Sequence, residues 1–88
     1  MTINIKDFKK KIIYRSTYRG NKEMDNILSS FTKKYINTFN DTELIQLNNL
    51  LKFDDENLYN FNMGKKTSIK INTNKVTELF KDFIYKKE

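Results

Sequence analysis

One register recurs three times in this 88-residue chain and constrains its fold more than any other feature. An apolar residue precedes a capping residue, and a second apolar residue follows four positions after the cap. Phe39-Asn40 with Leu44, Phe53-Asp54 with Leu58, and Ile71-Asn72 with Val76 all follow it. This is what a helix start requires. The cap side chain accepts a free backbone N–H two or three residues on, and the flanking apolar pair closes over the first turn. Asn40 also has Glu43 three residues on, the spacing of a capping box.

The helices themselves follow from apolar periodicity. Met24, Ile27, Leu28, Phe31 and Tyr35 fall on one helical face, as do Val76, Leu79, Phe80 and Phe83. Leu44, Leu47 and Leu51, with Ile45 and Leu50 alongside, form a third stripe. Phe8, Ile12 and Arg15 place a first helix, with Lys9, Lys10 and Lys11 mostly on its solvent side. The pattern predicts five helices, over 7–18, 21–38, 41–52, 55–63 and 73–86. Gly20 and Gly64, the two glycines, fall where helices should end and fit the left-handed cap position. The stretch from Lys65 to Ile71 carries no helical stripe and reads as an extended connector. The expected architecture is an all-α, compact, single-domain five-helix bundle over residues 1–88.

Composition narrows the chemistry. The chain contains no Cys, His, Trp or Pro. Without Cys there is no disulfide, thiolate nucleophile or zinc knuckle, and without His the usual neutral-pH general base is missing. A carboxylate enzyme would need a deep pocket, and a domain of this size buries only about 60–65% of its unfolded surface. The expectation is a protein without catalytic residues. Runs of aliphatic residues stop at two, as at Ile12-Ile13, which leaves nothing to span a membrane, and no apolar leader segment opens the chain. Ala is absent while Lys, Asn and Ile number 15, 12 and 10, the mark of an A/T-rich genome. That bias inflates the net charge of +6. Residues 1–22 carry seven bases and one acid, residues 23–64 three and seven, and residues 65–88 seven and three. The balance is therefore basic, acidic, basic.

The first sign change falls on the constellation that stands out, Arg15-Ser16-Thr17-Tyr18-Arg19-Gly20-Asn21-Lys22-Glu23-Met24-Asp25. As plain structure, Gly20 is a helix cap and Arg19 with Glu23 makes a local i, i+4 ion pair worth about 0.3–0.5 kcal/mol. As function, an Arg fork and carboxylates flanking an exposed glycine turn suit docking on another protein. Tyr18 and Tyr59 read either as aromatic anchors at the edge of that dock or as half-buried packing. Asp54 and Asp55 invite a metal reading, but adjacent carboxylates opening a helix are explained by capping and the helix dipole, and no metal is expected.

Arg19-Gly20-x-x-Glu23, with Asp25 and the stripe Ile27, Leu28, Phe31, resembles the RGxxE signature of the SdhE/YgfY family of small succinate dehydrogenase assembly factors. Three fixed positions in five say little alone. Their place at the first helix junction, followed by Leu50-Leu51-Lys52-Phe53-Asp54-Asp55-Glu56-Asn57-Leu58 about thirty residues on, makes the match specific. Thr38 to Glu43 looks like the family's entry to its third helix. The likeness covers about residues 12–64. Phe61 stands where the family usually has Trp, and Lys65 to Ile69 replaces its Pro-containing connector.

The resemblance implies a five-helix fold that binds the flavoprotein subunit of succinate dehydrogenase, or of fumarate reductase, and promotes covalent FAD attachment to it. It implies a docking set of Arg19, Gly20 and Glu23, with Arg15 and Asp25 as neighbours and Tyr18 and Tyr59 at the edge. The flavin-accepting histidine belongs to the partner. No cofactor is expected on this chain, which lacks a Gly-rich phosphate loop. A monomer in a bacterial cytoplasm is expected, since the match begins too near the first residue to leave room for a mitochondrial presequence. Three alternatives stay open. The same surface would serve an antitoxin-type inhibitor, a pI near 9.5 suits a helical nucleic-acid binder, and an unrelated helical domain would carry the motif by chance.

Overall fold

A computed structural model describes residues 4–84 of the chain. It contains α1 (Ile5–Thr17), α2 (Lys22–Tyr35), α3 (Asp41–Leu50), α4 (Asp55–Asn62) and α5 (Lys75–Asp82), and no strand among the described residues. The five-helix, all-α expectation holds. Helix α1 packs on α2 and α3, and α5 packs on α3 and α4.

The caps place the elements. Asn4, Asn21, Asn40, Asp54 and Asn74 each hold extended backbone and accept N–H groups of the turn that follows. Asn40 and Glu43 form the expected reciprocal box, at 2.9 and 2.8 Å. The fifth start departs from expectation: the cap is Asn74, and α5 opens two residues late. Three residues beyond Asn72 lies Lys75, which has no acceptor to return. Asn74 finds Thr77 at that spacing, and the two exchange bonds of 2.9 Å in each direction.

The helix ends are also shorter than their stripes suggested. Helix α2 stops at Tyr35, not residue 38, because the N–H groups of Thr38 and Phe39 both turn back to the Tyr35 carbonyl. That turn delivers Phe39 to the core just ahead of the α3 cap. Helix α5 stops at Asp82. The Asn62 amide donates to the carbonyls of Phe80 and Phe83 at 2.8 and 2.9 Å, doing the work of the next turn. Residues 85 and 86 of the expected helix lie outside the described residues. The connector is non-helical as expected, pinned where Asn57 Oδ1 accepts the Ser68 N–H at 2.8 Å.

One core joins all five helices. Ile12, Leu28, Phe31, Leu47, Leu58, Val76 and Phe80 are fully buried. Phe31 meets Phe80 edge to face at 5.2 Å, and Phe61 stacks on Phe80 at 6.4 Å. Pairs of this kind add to area burial by about 0.5–1.5 kcal/mol. Ile45 departs from its stripe: it is exposed, one residue off the face that buries Leu44 and Leu47.

Candidate docking surface

The corner between α1 and α2 is built from its backbone outward. Helix α1 closes when the Tyr18 N–H bonds the Tyr14 carbonyl at 3.1 Å. Gly20 then takes φ +83°, the left-handed region that costs a residue with a Cβ about 1–2 kcal/mol. A Cβ built there meets nothing within 4 Å, so the space in front of Gly20 is open. Asn21 next caps α2, accepting from Glu23 N at 3.1 Å and Met24 N at 3.3 Å.

Arg19 does not pair with Glu23. Its side chain turns inward across the molecule, to the junction between α3 and α4. Nε donates to Asp55 Oδ1 at 2.5 Å, Nη1 to the carbonyls of Leu51 and Arg15 at 2.8 and 3.2 Å, and Nη2 to the Phe53 carbonyl at 2.6 Å. Its own N–H donates to Asp25 Oδ1 at 2.7 Å. Only 12% of the Arg19 side chain is exposed. An i, i+4 ion pair in water is worth a few tenths of a kcal/mol, whereas a guanidinium fork that satisfies several carbonyl oxygens away from water is worth more, and Arg19 adopts the stronger arrangement.

The remaining residues of the expected set divide by exposure. Tyr18 is 71% exposed and rests against Tyr14, itself 64% exposed, with ring centroids 4.8 Å apart. Glu23 is exposed and makes no ion pair with a described residue. Arg15 is exposed and donates to Asn48 Oδ1 at 2.6 Å. Asp25 is half-buried under Arg19, and Tyr59 is half-buried on α4. Arg15, Tyr18 and Arg19 line one depression, Glu23 and Tyr59 line a second, and Asp25 is bonded to the Arg19 backbone beside Gly20. The first, of about 530 Å³, lies among Tyr14, Arg15, Tyr18 and Lys52, and the second, of about 280 Å³, lies among Asn21, Glu23, Glu56 and Tyr59. Asp55 lines both. The Arg19–Asp55 pair is therefore the ridge between them.

Sequence reasoning missed three parts of this surface. Tyr14 was legible, being four residues before Tyr18 on one helix. Asn48 and Asp55 were not, because 33 and 36 residues separate them from their partners and no local pattern spans that distance. Asp54 is a cap, as expected: it accepts the Asn57 side-chain amide and backbone N–H, at 2.7 and 3.2 Å. Those two bonds, with a smaller contribution from the Arg19 charge, hold its carboxyl below the ordinary value against a lesser desolvation cost. No group of three metal-ligating side chains occurs among the described residues, and none of their helices is long and apolar enough to cross a membrane.

Residues 10–84 match the Sdh5 family model, whose description is flavinator of succinate dehydrogenase. A 49-residue stretch, 56% of the chain, is 43% identical to succinate dehydrogenase assembly factor 2, mitochondrial, of the yeast Scheffersomyces stipitis. The stretch spans 33% of that protein, so the chain matches about a third of its relative's length. No solved structure matches the chain. The family match takes in the whole Gly20 corner, both flanking depressions and every helix but the start of α1: the chain belongs to the family of succinate dehydrogenase flavinators.

Proposed function

We propose that this protein is an assembly factor that binds the flavoprotein subunit of succinate dehydrogenase and promotes covalent attachment of FAD to it. The observation that carries the reading is the family match over residues 10–84. The chemistry of the corner suits the role. Tyr14 and Tyr18 offer rigid aromatic area, Glu23 an uncommitted charge, and Gly20 a place where foreign backbone comes close. Arg15 and Tyr59 extend the surface on either side, and Arg19 and Asp25 hold it from beneath. The partner is a protein and not a nucleic acid: Glu23, Asp54, Asp55 and Glu56 ring the corner, and carboxylates repel phosphate.

The chain acts as a chaperone, without catalytic residues and without holding a cofactor of its own. The flavin supplies its own reactivity, and the acceptor histidine lies on the partner. A small rigid body seated on the flavoprotein raises the fraction of partner molecules that hold FAD and histidine in a bond-forming arrangement, which is a shift of population. The factor works as a monomer, in the bacterial cytoplasm where a newly made flavoprotein meets FAD.

The two glycine corners supply the test. Gly20 (φ +83°) and Gly64 (φ +73°) are both left-handed, and a Cβ on either meets nothing. Gly20→Arg and Gly64→Arg should therefore cost similar stability, about 1–2 kcal/mol each. In a host lacking its own factor, covalent flavin is read as in-gel fluorescence of the denatured flavoprotein. Wild-type chain and Gly64→Arg should restore it, and Gly20→Arg should not. Restoration by Gly20→Arg, or none by the wild-type chain, sinks the assignment.

A further inference from the structure

Resting on the docking reading above, we propose that Arg19 is a positioning residue: it locks the α1–α2 corner to the α3–α4 junction and does not itself meet the partner. A guanidinium has five N–H donors. Four are committed, to Asp55, Leu51, Phe53 and Arg15. A partner could take one more without breaking an internal bond, through a side chain that is 12% exposed.

What the four bonds hold is more informative than their number. Leu51 is the C-cap of α3, and the Phe53 carbonyl belongs to the turn that follows. The guanidinium thus sits at the negative end of α3, where terminal carbonyls have no N–H of their own. Asp55 opens α4. From the other side, the Arg19 N–H is held by Asp25, in the first turn of α2. One residue therefore ties together the end of α1, the start of α2, the end of α3 and the start of α4. These four termini surround the two depressions, one carrying Tyr18 and the other carrying Glu23 and Tyr59. With the tie intact, those side chains keep a fixed spacing across the ridge. Without it, the corner samples other arrangements, and affinity falls by the fraction of molecules in the competent one.

The alternative, direct reading of the guanidinium by the partner, makes an opposite prediction for Asp55. Asp55→Asn removes the charge that draws Arg19 inward and frees the fork to face outward. Direct reading then expects docking to hold or tighten. Positioning expects it to weaken by about tenfold. The experiment titrates the purified flavoprotein subunit with wild-type chain, Asp55→Asn, Asp55→Glu and Arg19→Lys, and follows amide exchange of each free chain. The expected pattern is weakened docking by Asp55→Asn and Arg19→Lys, with faster exchange confined to residues 18–21 and 51–55, and recovery of both by Asp55→Glu. Wild-type docking by Asp55→Asn beside failure of Arg19→Lys overturns the proposal. Unchanged exchange at both junctions overturns it too, since the tie would then hold nothing. Failure of the wild-type chain to bind overturns the docking reading itself, while the exchange pattern still decides whether Arg19 locks the two junctions.

Discussion

The Arg19–Asp55 and Lys75–Glu43 pairs both tie together stretches distant in sequence, and they are built in opposite ways. Arg19 spreads a planar fork over three carbonyls and a carboxylate, and its side chain and that of Asp55 are 12% and 25% exposed. Lys75 offers one ammonium from a side chain that is 67% exposed, to a Glu43 already held by the Asn40 backbone N–H. The first pair replaces water for several groups at once; the second adds a charge contact to a capping box that stands without it. Arg and Lys are suited to these tasks in that order, since only the fork satisfies several acceptors in one plane. The functional consequence is local. At the Gly20 corner one side chain joins four helix ends, whereas α3 and α5 meet through buried apolar residues as well as the Lys75–Glu43 pair.

Truncating the two cations separates them most widely. Arg19→Ala leaves Asp55 and the carbonyls of Leu51 and Phe53 short of partners in a partly dry site, at a cost of about 2–3 kcal/mol. For a domain of this size, that lowers Tm by more than about 10 °C. Lys75→Ala should move Tm by no more than about 5 °C, because an exposed pair loses little beyond a screened contact. Thermal melts by circular dichroism measure both. Equal shifts would erase the distinction between the pairs.

This contrast also marks where sequence reasoning succeeds and stops. Five helices, the Asn40–Glu43 box, the Asp54 cap and both left-handed glycines were legible, because each is specified within four or five residues by cap chemistry and periodicity. The Asn72-for-Asn74 error arose inside that same range. A favourable apolar flank outweighed the missing acceptor at position 75, although Asn74 had a real one in Thr77. The motif marked the Gly20 corner as the candidate dock, but the inward course of the Arg19 side chain was not legible. The choice between Glu23, four residues away, and Asp55, 36 residues away, depends on how α4 is set against α1, and no local pattern encodes that. Asn57 and Asn62, which pin the connector and the end of α5, were silent for the same reason.

Removing caps sharpens the comparison at a smaller scale. Asn21→Ala and Asn40→Ala each delete an N-cap, typically worth about 1 kcal/mol. Asn40 makes the tighter bond, 2.9 Å to Glu43 N, against 3.1 and 3.3 Å for Asn21. Urea midpoints should therefore fall at least as far for Asn40→Ala, with unchanged slopes. Flavoprotein binding should order them the other way, because Asn21 starts α2 within the docking corner and Asn40 lies outside it. If Asn40→Ala weakened binding more, stability and not corner geometry would govern docking.

The smallest effect is a pH dependence that assigns different causes to two carboxylates. Glu43 is held below its ordinary value by its bond to Lys75 first and by the Asn40 N–H second, against a desolvation penalty from burial. Asp54 is held down by the Asn57 side chain and N–H, with the Arg19 charge the least of its causes. Both have folded values below their unfolded ones. Each therefore adds stability that is complete above the unfolded pKa, near pH 4, and is lost as pH falls through the folded value. Carboxyl carbon shifts followed by NMR through that range should place both groups below the usual carboxylate values. Lys75→Ala should return Glu43 toward the ordinary value and flatten its share of the acid decline. Arg19→Lys keeps the positive charge and should leave Asp54 almost where it was. A large upward move of Asp54 in Arg19→Lys would mean that the guanidinium geometry, and not the Asn57 amide, keeps Asp54 ionised, and that the Arg19 tie extends into the α4 cap.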